Sequence, residues 1–272
     1  MTTPRRDEGG LATLFETAEP ATAPPPPPSR VARRAGTSRP KLGPFARVVG
    51  VLGELLITAG IILGLFVVWQ VYWTDVEAGV TQRAALEELR DRGQGLPEEA
   101  TAPGEGDPPI IDAPAPGEVF ASLHVPRWGG ENAIPVAEGV GMDLLNIGYA
   151  GHYEETQLPG EVGNFALAAH RQSYGAAFRH VDSLETGDRM VVWTEKAWLV
   201  YEVTDAYIVL PHEVDVLAPV PREPGVEATE RTITLTTCHP LFQTAERYIV
   251  HGEMTEWYPP SQTMPEHLRE VS

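Results

Sequence analysis

The chain has a single cysteine, Cys238, and covalent chemistry would have to begin there. The run RTITLTTC at residues 231–238 alternates as a strand does. Ile233 and Leu235 fall on one face, Thr234, Thr236 and Cys238 on the other. The thiol therefore lies on the polar face, at the strand's end, before His239 and Pro240 stop the ladder. A structural cysteine fits the apolar face more naturally, but spacing alone leaves the packed thiol and the nucleophile both open. A cysteine nucleophile needs a partner that handles protons and a group that holds an oxyanion. Of eight histidines, His170 closes the apolar run NFALAAH at residues 164–170, again at a strand end. His239, adjacent to the thiol, points to the opposite face and reads as structural. Arg247 opens the next strand, where a hairpin would lay it beside the thiol. Each has an ordinary alternative: a strand-end histidine that is merely packed or solvated, and an arginine that is a surface charge.

One cysteine excludes a disulfide scaffold, an iron–sulfur cluster, a cysteine-based zinc site and a CxxC redox centre within one chain. The net charge is −18. It is unevenly placed, since residues 1–47 hold eight Lys/Arg against four Asp/Glu while the rest is strongly acidic. An acidic body lacks the basic surface that replaces counterions on nucleic acid, so that class of partner is set aside. No Asp/Glu spacing resembles a metal loop, and no metal is expected.

The elements that must position these residues begin with a membrane segment. Residues 48–73 read VVGVLGELLITAGIILGLFVVWQVYW. As helix they extend about 39 Å, enough to cross a hydrocarbon core of about 30 Å. Trp69, Tyr72 and Trp73 sit at one end, suited to the interface, and Glu54 lies near the other, within reach of headgroups. Arg30, Arg33, Arg34, Arg39, Lys41 and Arg47 precede the run, while Asp75 and Glu77 follow it. This bias predicts a signal anchor in the plasma membrane, single-pass, N-terminus cytoplasmic and body extracellular. Residues 1–47, with five consecutive prolines at 24–28, read as a disordered cytoplasmic tail. Residues 74–117 read as a short polar helix with Val76, Val80, Leu86 and Leu89 on its apolar positions, then a Pro/Gly-rich linker from Asp91. That linker is either a stalk or, given Ile110 and Ile111, an appendage over the body.

From residue 118 to 258 the pattern changes to short β-rich runs separated by turns. Strands are expected at residues 120–125, 133–136, 164–170, 190–194, 198–209, 231–238 and 248–253. Only residues 141–147 and 176–184 look helical, so a closed barrel or sandwich is the expected fold. Residues 259–272 form a short polar tail.

The frame CHPLFQTAERYIV at residues 238–250, preceded by TLT, puts an arginine nine residues after the cysteine. It resembles the TLxTC…R signature of sortases. GNFALAAHR at residues 163–171, followed by YGAAF at 174–178, resembles their catalytic-histidine strand. With GHY at 151–153, PGEVGN at 159–164 and His-Pro after the cysteine, the chain looks most like class E sortases of actinobacteria, over residues 120–254.

The resemblance implies an all-β fold, the eight-stranded sortase-type β-barrel with short helices, behind a single N-terminal transmembrane helix. It implies that Cys238 is the nucleophile of a cysteine transpeptidase and attacks the Thr–Gly carbonyl of a C-terminal sorting signal on a secreted protein. His170 would protonate the leaving amine and deprotonate the incoming one, while Arg247 would donate to the substrate backbone or oxyanion. The thioester would be resolved by a peptidoglycan precursor amine, which fixes the protein to the cell wall of a Gram-positive cell. No cofactor is needed to exchange one amide for another. Thr236, Thr237, Asn132 and Tyr174 are the candidate substrate-binding residues.

Asn132 departs from the family, because class E members are expected to carry there a tyrosine associated with alanine at the second signal position. The preference between LAXTG and LPXTG is thereby left open. Two rivals differ in kind. A class C, pilin-polymerising sortase would show an Asp-Pro-aromatic lid and a second span, but Pro109 follows Asp107-Pro108 and no second apolar run exists. A non-catalytic anchored barrel that binds peptide would have lost one of the three residues, and all three are present.

Overall fold

The computed structural model describes residues 43–129 and 133–270. Most of the expected cytoplasmic tail, and Asn132 with it, lies outside the described residues. The described residues divide between Glu54 and Leu55 into the opening turns of a long helix and a second unit holding the rest.

That helix, α1, runs unbroken over Pro44–Arg92. Its portion Pro44–Trp69 has a mean hydropathy of 2.5, and no residue of its most apolar window is buried. It is long and apolar enough to cross a membrane. Beyond it, the same helix continues to Arg92 and packs on the barrel with a face the apolar pattern marked only in part, at Leu86 and Leu89. Val76 and Val80 are exposed, whereas Ala78, Ala85 and Leu89 are buried.

Eight strands close into a barrel: β1 (Val119–His124), β2 (Ala133–Glu138), β3 (Ala150–His152), β4 (Gly163–Ala168), β5 (Arg189–Thr194), β6 (Trp198–Val209), β7 (Arg231–His239) and β8 (Glu246–Tyr258). Around the barrel the order is β1-β2-β3-β4-β7-β8-β6-β5, with β5 returning to β1. The pairs β2·β3 and β4·β7 are parallel and the others antiparallel. A short helix, α2 (Met142–Leu145), joins β2 to β3. Strand β3 was not expected from the sequence, because Ala-Gly-His offers no β-branched residue and only three positions. The helix expected at residues 176–184 is one 3-10 turn, Val181–Ser183.

Alternate residues of the strands fill the barrel. Phe165 and Leu167 of β4 meet Ile233 and Leu235 of β7, with Tyr201 and Val250 from β6 and β8. Strands β5 and β6 also carry apolar residues on their outer face, where Val191, Trp193, Trp198 and Val200 pack with Leu89 of α1 and with Met264 and Leu268 of the C-terminal segment. Strands covered on both sides lose the alternation that marks a half-solvated strand, and α1 supplies part of that cover.

Residues 93–117 have no regular secondary structure, yet they are tied down. Trp257 Nε1 donates to the Gly106 carbonyl at 3.0 Å, Lys196 Nζ to that of Ile110 at 2.9 Å, and Arg231 pairs with Asp107 at 2.7 Å. Ile111 is buried in the barrel's apolar cluster. The Arg231–Asp107 contact is at the start of β7, seven residues and about 23 Å from Cys238 at the usual rise of a strand.

Candidate active site

Strand β7 delivers Cys238 to one end of the barrel, and its two neighbours deliver the other candidates. In the antiparallel pairing of β7 with β8, Cys238 is opposite Arg247, so the two side chains share a face. In the parallel pairing of β4 with β7, Ala168 is opposite Thr236. The ladder continues one step further, with the Ala169 N–H donating to the Thr236 carbonyl at 3.3 Å. Two residues beyond Ala168 the chain reaches His170, level with Cys238. By register, then, the backbone positions that neighbour Cys238 are Arg247 on β8 and, just past the end of β4, His170. The thiol is partly exposed and forms no disulfide.

His170 is held from several directions. Its Nε2 is 2.9 Å from Asn146 Oδ1, just past α2. An amide oxygen only accepts, so Nε2 carries the proton and Nδ1 is the lone-pair nitrogen. The Tyr174 ring packs on the imidazole with centroids 5.5 Å apart, and the His170 carbonyl accepts from the Phe178 N–H. Burial lowers the histidine's pKa below its ordinary value, because desolvation disfavours the charged ring. The loop after His170 is locally strained. Ser173, Tyr174, Gly175 and Ala176 all have positive φ, at 63°, 51°, 77° and 40°. For the three that are not glycine this costs roughly 1–3 kcal/mol each, and such a shape persists only where its surroundings impose it.

Arg247 Nη1 donates to the carbonyls of Thr244 and Glu246 at 3.0 and 2.9 Å. Among the described residues no carboxylate pairs with it, so its charge stands uncompensated beside the thiol. Arg171, next to His170, is the opposite case. It is 2% exposed, its Nη2 is 2.6 Å from Asp182, and its guanidinium lies 5.6 Å from the Tyr248 ring centre. It donates through Nη1 to His239 Nδ1 at 2.9 Å, so His239 is a packing partner turned from the thiol, as its place in the strand predicts.

Thr236 and Thr237 are buried. Thr237 Oγ1 donates to the Ala169 carbonyl at 2.7 Å, and Thr236 Oγ1 to that of Leu167 at 3.2 Å. Both hydroxyls therefore fasten β7 to β4 and to the residue just past it, on the way to His170. Tyr153 Oη lies 3.1 Å from Thr236 Oγ1 and also lines a cavity of about 960 Å³ between the β3–β4 and β6–β7 loops. Leu144, Thr156, Val214 and Leu217 line its other sides. Asn146, Arg171 and Tyr153 were not singled out from the sequence. Arg171 and Tyr153 stand inside runs that were noticed, whereas Asn146 carries no local signal and is visible only from the ring it touches. Among the described residues no group of three or more His, Cys, Asp or Glu is placed to hold a metal ion.

Comparison with known proteins agrees with this architecture. Residues 123–255 match the family model described as the Sortase domain. Sortase SrtE2 of Streptomyces coelicolor is 40% identical over 235 residues, which are 82% of this chain and 89% of the relative. Among solved structures, the SrtA sortase from Actinomyces oris is 43% identical, with a TM-score of 0.58 over 61% of this chain and 95% of that one. Sortase E1 from Streptomyces coelicolor, solved with a tripeptide in its active site, is 41% identical, with a TM-score of 0.52 over 57% of this chain and 99% of that one. The chain belongs to the sortase family, whose members are transpeptidases. Within it, the chain is most like the class E enzymes.

Proposed function

We propose that this protein is a membrane-anchored cysteine transpeptidase that cuts a C-terminal sorting signal between Thr and Gly and joins the new carboxyl end to an amine of a peptidoglycan precursor. The observation that carries the proposal is strand register: Arg247 is paired with Cys238, and β4, paired with β7 as far as Ala168 opposite Thr236, leads two residues later to His170. The reactive pair is the Cys238 thiolate with the protonated His170. Sγ attacks the Thr carbonyl carbon, and the charge that develops on its oxygen meets the unpaired guanidinium of Arg247. As the C–N bond breaks, His170 gives its proton to the leaving glycine amine, and a thioester remains on Cys238. The incoming amine attacks the thioester, passes a proton to His170 and expels the thiolate, which restores the starting pair. Burial lowers the pKa of His170, which disfavours the protonated ring that the reaction uses.

The cavity bounded by the β3–β4 and β6–β7 loops, joined to β7 through Tyr153 and Thr236, receives the signal peptide ahead of the scissile bond. Thr236, Thr237 and Tyr174, which neighbour Cys238 and His170 in the chain or in space, are the residues proposed to meet the signal at the scissile bond. The apolar part of α1 crosses the plasma membrane with the basic N-terminal residues 1–47 in the cytoplasm, a span over residues 48–73 and the barrel outside. Residues 74–117 connect span to barrel, residues 118–258 form the catalytic domain and residues 259–272 the C-terminal tail.

The full chain in detergent, given fluorogenic LAXTG and LPXTG peptides and an amine acceptor, tests this directly. Cleavage and transfer by the wild type, absent in Cys238→Ala, is expected. Cleavage that survives Cys238→Ala, or no reaction with either peptide while Cys238 remains alkylatable, would overturn it.

A further inference from the structure

The part of α1 beyond the apolar stretch grips the two loops that hold His170. Asp75, Ala78 and Gln82 make the contacts to these loops, and Ala85 and Leu89 continue the same stripe, three and four residues on, against the barrel. Asp75 Oδ1 accepts from the Gly175 N–H at 2.9 Å, and its Oδ2 pairs with Arg179 at 2.9 Å. Gln82 Nε2 donates to the Gly148 carbonyl. Both glycines are close against the helix. A Cβ on Gly175 would fall 2.9 Å from that of Ala78, and one on Gly148 would fall 2.7 Å from Gln82 Nε2. Gly175 lies in the strained segment after His170, the one that presses Tyr174 on the imidazole. Gly148 follows Asn146, whose side chain holds Nε2.

We infer that Asp75 and Gln82 are positioning residues for His170: the helix holds the Ser173–Ala176 and Asn146–Gly148 turns in the shape that presents the imidazole to Cys238. The strain in the His170 loop explains why an outside brace is needed, since three non-glycine residues at positive φ would relax without one. The brace begins at Asp75, six residues and about 9 Å of helix beyond Trp69. The helix that carries the apolar stretch is therefore also a component of the site. The inference rests on the reading of His170 as the proton-transferring residue, and its test separates the two.

The full chain is placed in lipid nanodiscs and labelled with ¹³C-histidine, the His170 signal being assigned by its loss in His170→Gln. Turnover of a sorting-signal peptide and the His170 titration are compared among the wild type, the double variant Asp75→Ala/Gln82→Ala, Asp75→Asn and Arg92→Ala. The double variant is expected to lose about ten- to hundredfold in kcat with KM within about twofold. Its His170 midpoint should rise toward the ordinary value near 6.5 as water reaches the ring. Asp75→Asn keeps an acceptor for the Gly175 N–H and should retain most of the rate. Arg92→Ala, on the same helix but paired with Glu88 and Glu118, should match the wild type. A double variant with wild-type kcat and an unmoved midpoint would overturn the inference. So would an equal loss in Arg92→Ala, which would make the helix a general stabiliser. If the wild type itself turned over no sorting-signal peptide, the transpeptidase reading would fail, and the His170 titration alone would decide the helix's role. A raised midpoint in the double variant would then support it, and an unchanged one would refute it.

Discussion

Strand β7 has two polar stretches on one face, and they are treated differently. Around Thr234 every polar group is partnered. Its hydroxyl donates to Asn164 Oδ1 at 2.7 Å and lies 2.8 Å from His251 Nδ1, whose Nε2 is 2.7 Å from Tyr207 Oη. Asn164 in turn donates to the carbonyls of Val216 and Ala218, which pins the β6–β7 loop. Four residues on, Cys238 is partly exposed, and Arg247 opposite it is bonded only to carbonyls of its own turn. A closed polar network resists rearrangement because each lost bond leaves a buried group unpaired. An open one keeps donors available for charge that appears only during reaction. The strand thus joins a fastened middle to an open end that carries the proposed nucleophile.

The contrast can be broken at either end. At the reactive end, Arg247→Ala is expected to lower kcat by about 10²–10³, the usual cost of deleting an oxyanion donor, with little change in melting temperature. A loss of stability without a loss of rate would place Arg247 in the fastened part instead. Steady-state kinetics beside thermal unfolding decides it.

At the fastened end the expected effects are on stability. Burial lowers the His251 pKa from 6.5 to about 4. A histidine kept neutral in the fold carries no penalty above pH 6.5, where both states are neutral. As pH falls from 6.5 toward 4, the unfolded chain takes up a proton that the folded chain does not, and stability drops by about 3 kcal/mol. Unfolding in denaturant across this window should show the drop in the wild type and a shallower slope in His251→Gln. Equal slopes would remove His251 from the closed network.

Thr234→Val is the smallest change. It leaves Asn164 Oδ1 and His251 Nδ1 without the hydroxyl and should cost about 1–3 kcal/mol, with turnover within about threefold of wild type. A large fall in kcat at unchanged stability would show that the two ends are not separable.

The contrast was only half legible in the sequence. Alternation along residues 231–238 put Thr234, Thr236 and Cys238 on one face, and seven of the strands could be placed because they are short runs rich in β-branched and aromatic residues bounded by turns. Strand β3 escaped because three small or polar residues carry no such period. Apolarity located the long apolar part of α1, and of the four positions it marked on the following turns Leu86 and Leu89 pack on the barrel while Val76 and Val80 are exposed. The docking face also uses Asp75, Ala78 and Gln82, whose fit depends on Gly175 and Gly148 far away in the chain. Residues 93–117 read as a stalk from their proline and glycine content or, from Ile110 and Ile111, as an appendage over the body, and the choice fell to contacts: barrel side chains bond their carbonyls and Ile111 is buried. Composition describes what a segment can do alone, and these segments are defined by what they touch. Asn146 illustrates the same limit inside the site.

The central claim is that Cys238 carries the acyl group. The most direct measurement is mass spectrometry of the full chain quenched in acid during turnover of a sorting-signal peptide, with no amine acceptor added. The expected result is an adduct on the peptide containing Cys238, with the mass of the signal through its threonine, that disappears when an amine is supplied and the transfer product forms. Steady cleavage with no such adduct, or with one on another residue, would contradict it.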